Sequence, residues 1–186
     1  MSDDADEPRR ASDARFAGRR AELCGALRGL LGARRAPEPL ADADQAASLA
    51  AEAGASHRAV RQHAWAVVRQ TWPAEDRGGV AAVLQAMSVH LGPRTAWLIL
   101  PGREPQAVPI DSEAVLDNPL GFAALADGEL VVLDQSVPAG LWLLGPASGS
   151  STGAHLWELD VWGAEPWLSA ATRALREQGA SGPSTD

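Results

Sequence analysis

VAAVLQAMSVHLGPRTAWLIL, residues 80–100, decides the fold, because the spacing of its apolar residues changes partway along. Up to Leu91 the side chains of Val80, Val83, Leu84, Met87 and Leu91 recur every three or four residues, one face of an α-helix. Gly92-Pro93 ends that pattern, since glycine accepts a terminal left-handed turn and proline cannot extend the helix. Thr95–Leu100 follows at once as a continuous apolar run of strand length, suited to the middle of a sheet. The break separates a helical first half from a strand-rich second half.

Working downstream, Pro101-Gly102-Arg103-Glu104 reads as a turn into a second strand, Gln106–Ile110, which makes a hairpin. Asp111 or Ser112 caps a short helical stretch, broken at Asn118-Pro119 and resumed over Leu120–Ala126. Asp127-Gly128 turns into the strand Glu129–Asp134, and Ser136–Gly140 turns into Leu141–Leu144. Residues 145–153 form a Gly/Ser-rich loop. His155–Trp162 alternates, with Trp157, Leu159 and Val161 facing one way and Glu158 and Asp160 the other. Pro166 opens a last helix through Glu177, with Trp167, Leu168, Ala171, Ala174 and Leu175 inward.

Working upstream, residues 1–12 are charged and poor in large apolar groups, which predicts a disordered tail. From about Asp13 a helix carries the stripe Leu23, Leu27, Leu30 and Leu31, stopped by Gly32. Asp42 or Asp44 caps an alanine-rich helix with Ala46, Leu49, Ala50 and Ala53 inward, ending at Gly54. A further helix from Ser56 carries Val60, Ala64, Val67, Val68 and Trp72. The expected organisation is a tail over 1–12, a helical segment over 13–72, an α+β binding module over 73–178 and a tail over 179–186. The expected fold class is α+β: a helical N-terminal segment, then a five-stranded antiparallel sheet with helices packed on one face, in the order α-β-β-α-β-β-β-α.

Composition narrows the function. The longest apolar run is far shorter than the roughly 18 residues of a membrane span, and the acidic, then arginine-rich N-terminus has no apolar signal core, so a cytoplasmic protein is expected. One cysteine, Cys24, excludes an intrachain disulfide and a thiolate metal cluster, and its place between Leu23 and Leu27 makes it packing. All 16 cations are arginine, and the charge is uneven: residues 1–72 hold 11 Arg against 10 Asp/Glu, whereas 73–186 hold 5 against 14. An acidic second half repels phosphate backbones, so duplex DNA can be contacted only through the N-terminal part.

Residues 46–65 resemble a helix-turn-helix, with Ala50 four residues before Gly54, Ser56 at the following cap and Val60 inward. The resemblance implies that His57, Arg58, Arg61 and Gln62 face the major groove; it departs from the pattern at His63, where an apolar residue is usual. Residues 78–178 look like GAF, PAS or roadblock-type modules, and Ala124–Asp134 is similar to a helix-turn-strand of GAF domains. That likeness implies a ligand sensor or a dimerising scaffold, with a homodimer among its assemblies.

Seven tryptophans against two phenylalanines and no tyrosine read first as core filling. Trp162 and Trp167, flanking Gly163-Ala164-Glu165-Pro166, read alternatively as interface anchors that with Glu158, Asp160 and Glu165 form a partner-binding surface. Glu158 and Asp160 share a strand face and Asp134 ends another strand; paired carboxylates suit acid/base work, but solvated positions explain them as well. His57 and His63 are six apart and His90 and His155 isolated, so neither a metal nor a cofactor is expected. Ser148, Ser150, Ser151 and Thr152 lack the lysine of a phosphate-binding loop. The expectation is a non-catalytic regulatory or binding protein, its acidic module holding a protein or small ligand and its helical N-terminus touching DNA. The alternative is an immunity or antitoxin-type module that masks a basic partner.

Overall fold

The computed structural model describes residues 7–32, 40–61, 67–146 and 156–180. Its strands are β1 (Val67–Pro73), β2 (Thr95–Leu100), β3 (Gln106–Asp111), β4 (Glu129–Asp134), β5 (Ala139–Leu144) and β6 (Leu156–Gly163). They pair antiparallel throughout, in the order β1-β6-β5-β4-β2-β3. Helices α1 (Glu7–Leu31), α2 (Ala43–Arg61), α3 (Arg77–Leu91), α4 (Ser112–Asp117), α5 (Pro119–Ala123) and α6 (Trp167–Ala180) surround this sheet.

The larger core lies between one sheet face and α3, α6, α4, α5 and the end of α1. The stripe Val80, Val83, Leu84, Met87 and Leu91 of α3 is buried there with Trp167, Ala170, Ala171 and Ala174 of α6. From the sheet come Leu98, Val108, Leu130, Val132, Leu141, Leu143, Leu159 and Val161. Asp76 starts α3 by accepting the amide N–H of Gly79 at 2.9 Å, and Gly92 ends it at φ 69°. Leu23 and Leu27 of α1 reach the same core, so the first helix docks on the module. Arg20 fixes it further, donating from Nη1 to the Ala41 carbonyl at 2.7 Å and from Nη2 to that of Leu40 at 2.8 Å.

Three sequence expectations change. The sheet has six strands rather than five, because Val67–Pro73 is strand where the helix from Ser56 was expected to continue through Trp72. Val67, Val68 and Thr71 are β-branched, and pairing along β6 lets Val68 and Trp72 enter the larger core while Val67 and Arg69 turn to the other face. Helices cover both faces rather than one: α2 lies across the second face, where Ala46 and Ala53 pack on Ile99, Ala107, Val131, Leu133 and Trp162. Finally, α2 runs unbroken through Gly54, where a turn was expected. A helical glycine costs about 1 kcal/mol relative to alanine, less than the contacts that the continued helix makes beyond it. Asp42 caps this helix, accepting the Gln45 amide N–H at 2.8 Å.

Of the expected tails, 1–12 and 179–186, residues 1–6 and 181–186 lie outside the described residues, while 7–12 belong to α1 and 179–180 to α6. The 145–153 loop, with its serines, lies outside the described residues from position 147. No helix among the described residues is long and apolar enough to cross a membrane.

Close approach of backbones sets two glycines apart. At Gly163, φ is 97° and an added Cβ would lie 2.1 Å from the Pro138 carbonyl oxygen. Gly163→Ala therefore combines left-handed strain with a backbone clash and is expected to lower stability by about 3 kcal/mol. Gly25 in α1 has open space around its Cβ position, so Gly25→Ala should instead stabilise by about 0.5–1 kcal/mol. Urea unfolding of the two variants checks both signs together; a neutral Gly163→Ala would be incompatible with this junction of β5 and β6.

Candidate functional site beneath helix α2

Pairing register assembles the most unusual group of side chains in the molecule. Arg69 of β1 lies opposite Asp160 of β6, and Asp160 lies opposite Trp142 of β5. Because cross-strand partners share a face, these three form a row, and the row faces α2. Helical spacing supplies the fourth member. Ala46, Ala50, Ala53 and His57 follow one another at intervals of four, three and four along α2, so His57 continues the alanine stripe onto the sheet.

His57 Nε2 lies 2.6 Å from Asp160 Oδ2, and both side chains are nearly out of solvent. An ionised carboxylate only accepts, so the imidazole donates its Nε2 proton. Arg69 completes the group, donating from Nε to Asp160 Oδ1 at 2.5 Å and from Nη2 to Oδ2 at 3.0 Å. The imidazole stands between two indoles, 4.8 Å from the Trp142 ring and 5.4 Å from the Trp162 ring. Trp142 donates its ring N–H to Glu129 at 2.8 Å.

Burial on its own raises the pKa of Asp160, but the hydrogen bonds of His57 and Arg69, with the positive charge of Arg69, reverse this and hold it at about 2. The same contact, bonding to Asp160 first and charge attraction second, raises Arg69 against its partial burial. Glu129 moves the opposite way: burial raises its pKa, and the single Trp142 donor only partly offsets that.

A second buried carboxylate, Asp134 at the end of β4, is committed on the other side. Its Oδ1 accepts from the Ser136 amide N–H and hydroxyl, each at 2.7 Å, and its Oδ2 accepts from Trp167 Nε1 at 2.8 Å and from Arg94 Nε. Burial opposes ionisation here too, yet these donors hold Asp134 well below the ordinary carboxylate range.

The residues singled out in the sequence are thus distributed differently from expectation. His57, expected at a DNA groove, is 7% exposed and faces the sheet. Arg58 is exposed on α2, while the Arg61 side chain and all of Gln62 lie outside the described residues, as do His63, Trp65 and His155. Of the expected partner surface, Asp160, Trp162 and Trp167 are interior, because α2 covers one face and α6 the other. Glu158 is half-buried beside Arg69, and Glu165 is exposed and accepts a hydrogen bond from Ser169. Four tryptophans fill the core, Trp72, Trp157, Trp162 and Trp167, while Trp97 and Trp142 are half-buried.

Sequence reasoning paired Glu158 with Asp160 correctly and missed their cations. The signal for Arg69 was the alternation of Val67-Val68-Arg69-Gln70-Thr71-Trp72; that for His57 was its place at the end of the alanine stripe. Among the described residues no three His, Cys, Asp or Glu side chains gather as a metal site. No family model, curated protein or solved structure matches this chain.

What the group does is clamp α2 to the sheet. Asp160 has a folded pKa below its unfolded value, so its stabilisation is complete above about pH 4 and is lost as pH falls from there through about 2. Asp134 shifts in the same direction and adds to the same acid loss. In Asp160→Asn the buried His57 loses its carboxylate and Arg69 keeps only Glu158; stability at pH 7 should drop by about 2–3 kcal/mol, and its decline between pH 5 and pH 2.5 should become shallower. Urea midpoints across that range test this, and equal slopes for variant and parent would remove Asp160 as the clamp.

Proposed function

We propose that this chain is a non-catalytic regulatory or binding protein whose acidic α+β module holds a basic protein partner. Support comes first from how the module uses its carboxylates. Asp134 and Asp160 are buried and saturated by internal donors, whereas Glu75, Asp76, Glu113, Asp117, Asp127 and Glu165 are exposed. The exposed arginines of the same module are fewer: Arg77, Arg103, Arg173 and Arg176.

The observation that carries the reading lies on α3 and α4. Val89 is 82% exposed, an isolated large apolar side chain on an otherwise inward-packed helix. One turn before it, Gln85 donates to the Asp117 carbonyl at 3.0 Å and so ties α3 to α4. Glu113 and Asp117 of α4 are exposed and have no ion-pair partner among the described residues. An apolar contact rimmed by carboxylates suits a surface presenting one apolar residue among arginines or lysines: the apolar group anchors, and the charges accelerate encounter and select the partner. This surface replaces the expected one around Trp162 and Trp167.

The test is affinity capture from lysate of the cells that make the protein, with the parent chain beside a Val89→Asp, Glu113→Arg, Asp117→Arg variant. The parent is expected to retain a basic protein that the variant does not. With that protein purified, affinity should fall about tenfold or more between 50 mM and 500 mM salt. Equal retention by both chains, or a salt-independent affinity, contradicts the reading.

A further inference from the structure

A cavity of about 530 Å³ opens at the end of the larger core, between α1 and the β2–β3 turn. Alternation along β3 sends Gln106 to the same face as Val108 and Ile110, opposite Leu100 in the β2 register, so its side chain enters this cavity. There it is 6% exposed, and neither its Oε1 nor its Nε2 has a hydrogen-bond partner among the described residues. Burying both polar atoms of a carboxamide unpaired is costly. A leucine would fill the position without that cost, as Leu100 does across the pair.

A second orphan stands beside it. Glu104 Oε2 is buried with no hydrogen bond and faces Arg19 Nε at 3.7 Å, beyond hydrogen-bonding distance. Gln106 therefore asks for a donor and an acceptor side by side, and Glu104, ion-paired with Arg19 but without a hydrogen bond at Oε2, can accept a further donor. Arg19 and Arg103 share the wall with Glu22 and Asp127, so the lining carries both signs of charge, as a zwitterion requires.

We infer that this cavity is a binding site for a small zwitterion bearing a primary carboxamide, such as a free amino acid of the glutamine or asparagine type. The ligand carboxamide pairs head to tail with that of Gln106, its ammonium bonds Glu104, and its carboxylate meets Arg19 and Arg103. A carboxamide satisfies Gln106 where a carboxylate does not, because a carboxylate has no proton for Oε1. The site lies on the opposite sheet face from His57 and Asp160 and stands independently of the partner surface on α3 and α4.

Isothermal titration of the full chain tests this with L-glutamine and L-asparagine against L-glutamate, L-aspartate and adenosine. At least one amide is expected to bind with a Kd below about 1 mM, and its acid counterpart about tenfold or more weaker. Gln106→Leu removes two unpaired polar atoms, so it should fold with an unchanged or higher Tm and abolish the preference for amide over acid. Glu104→Gln, a less buried change, should keep the preference while weakening the amide about fivefold or more. Lack of heat with both amides, equal binding of amide and acid, adenosine binding in their place, or an unaltered preference in Gln106→Leu each overturns the inference. Should Gln106→Leu not fold, an unchanged glutamine affinity in Glu104→Gln overturns it alone.

Discussion

Asp160 is the point where three parts of the chain that are distant in sequence become one structure. Its carboxylate bonds Arg69 in the edge strand β1 and His57 in α2, and through register it sits beside Trp142 of β5. The apolar part of the α2 interface is made mostly of alanine methyls, each contributing only about 0.8 kcal/mol on burial. The His57–Asp160 hydrogen bond adds to that packing a fixed direction and register, which alanine methyls alone do not supply.

The opposite face is organised by a contrasting principle. There α3 and α6 bring large side chains and close-packed alanines, so burial alone supplies adhesion, and the polar contact is confined to the margin. Asp134 occupies that margin, joining the end of β4 to Arg94 before β2, to Ser136 in the next turn, and to Trp167 at the start of α6. Each buried carboxylate therefore ties one helix to the sheet, Asp160 to α2 and Asp134 to α6. Both depend on ionisation, which is why acid weakens the two faces together.

How much of this was legible in the sequence follows the strength of local signals. The α3 stripe, the hairpin at Pro101–Glu104 and the strand Glu129–Asp134 were readable because period, breaker and turn residue agree at each. β1 was not, because Val67–Trp72 places apolar residues at a spacing that helix and strand both tolerate, and only the partner strand β6 decides between them. Gly54 misled for a related reason. Glycine permits a turn but does not impose one, and a helix continues through it when tertiary contacts beyond it are strong enough. The site was half-legible: parity placed Asp160 and Glu158 together, whereas their cations come from segments 91 and 103 residues away. No local pattern announces a contact of that span.

The allocation of charge ties these observations to function. A chain with eight more carboxylates than arginines must distribute that excess, and burying it unpaired is prohibitive. Here the two buried carboxylates are each met by cation, Arg69 and His57 at Asp160 and Arg94 at Asp134. Such pairing leaves the net excess of carboxylate unchanged, so the surplus stays on exposed residues. Glu113 and Asp117 of α4 carry part of that surplus at the surface, on the short helix that Gln85 ties to α3, so the interior keeps only the carboxylates that its donors can match.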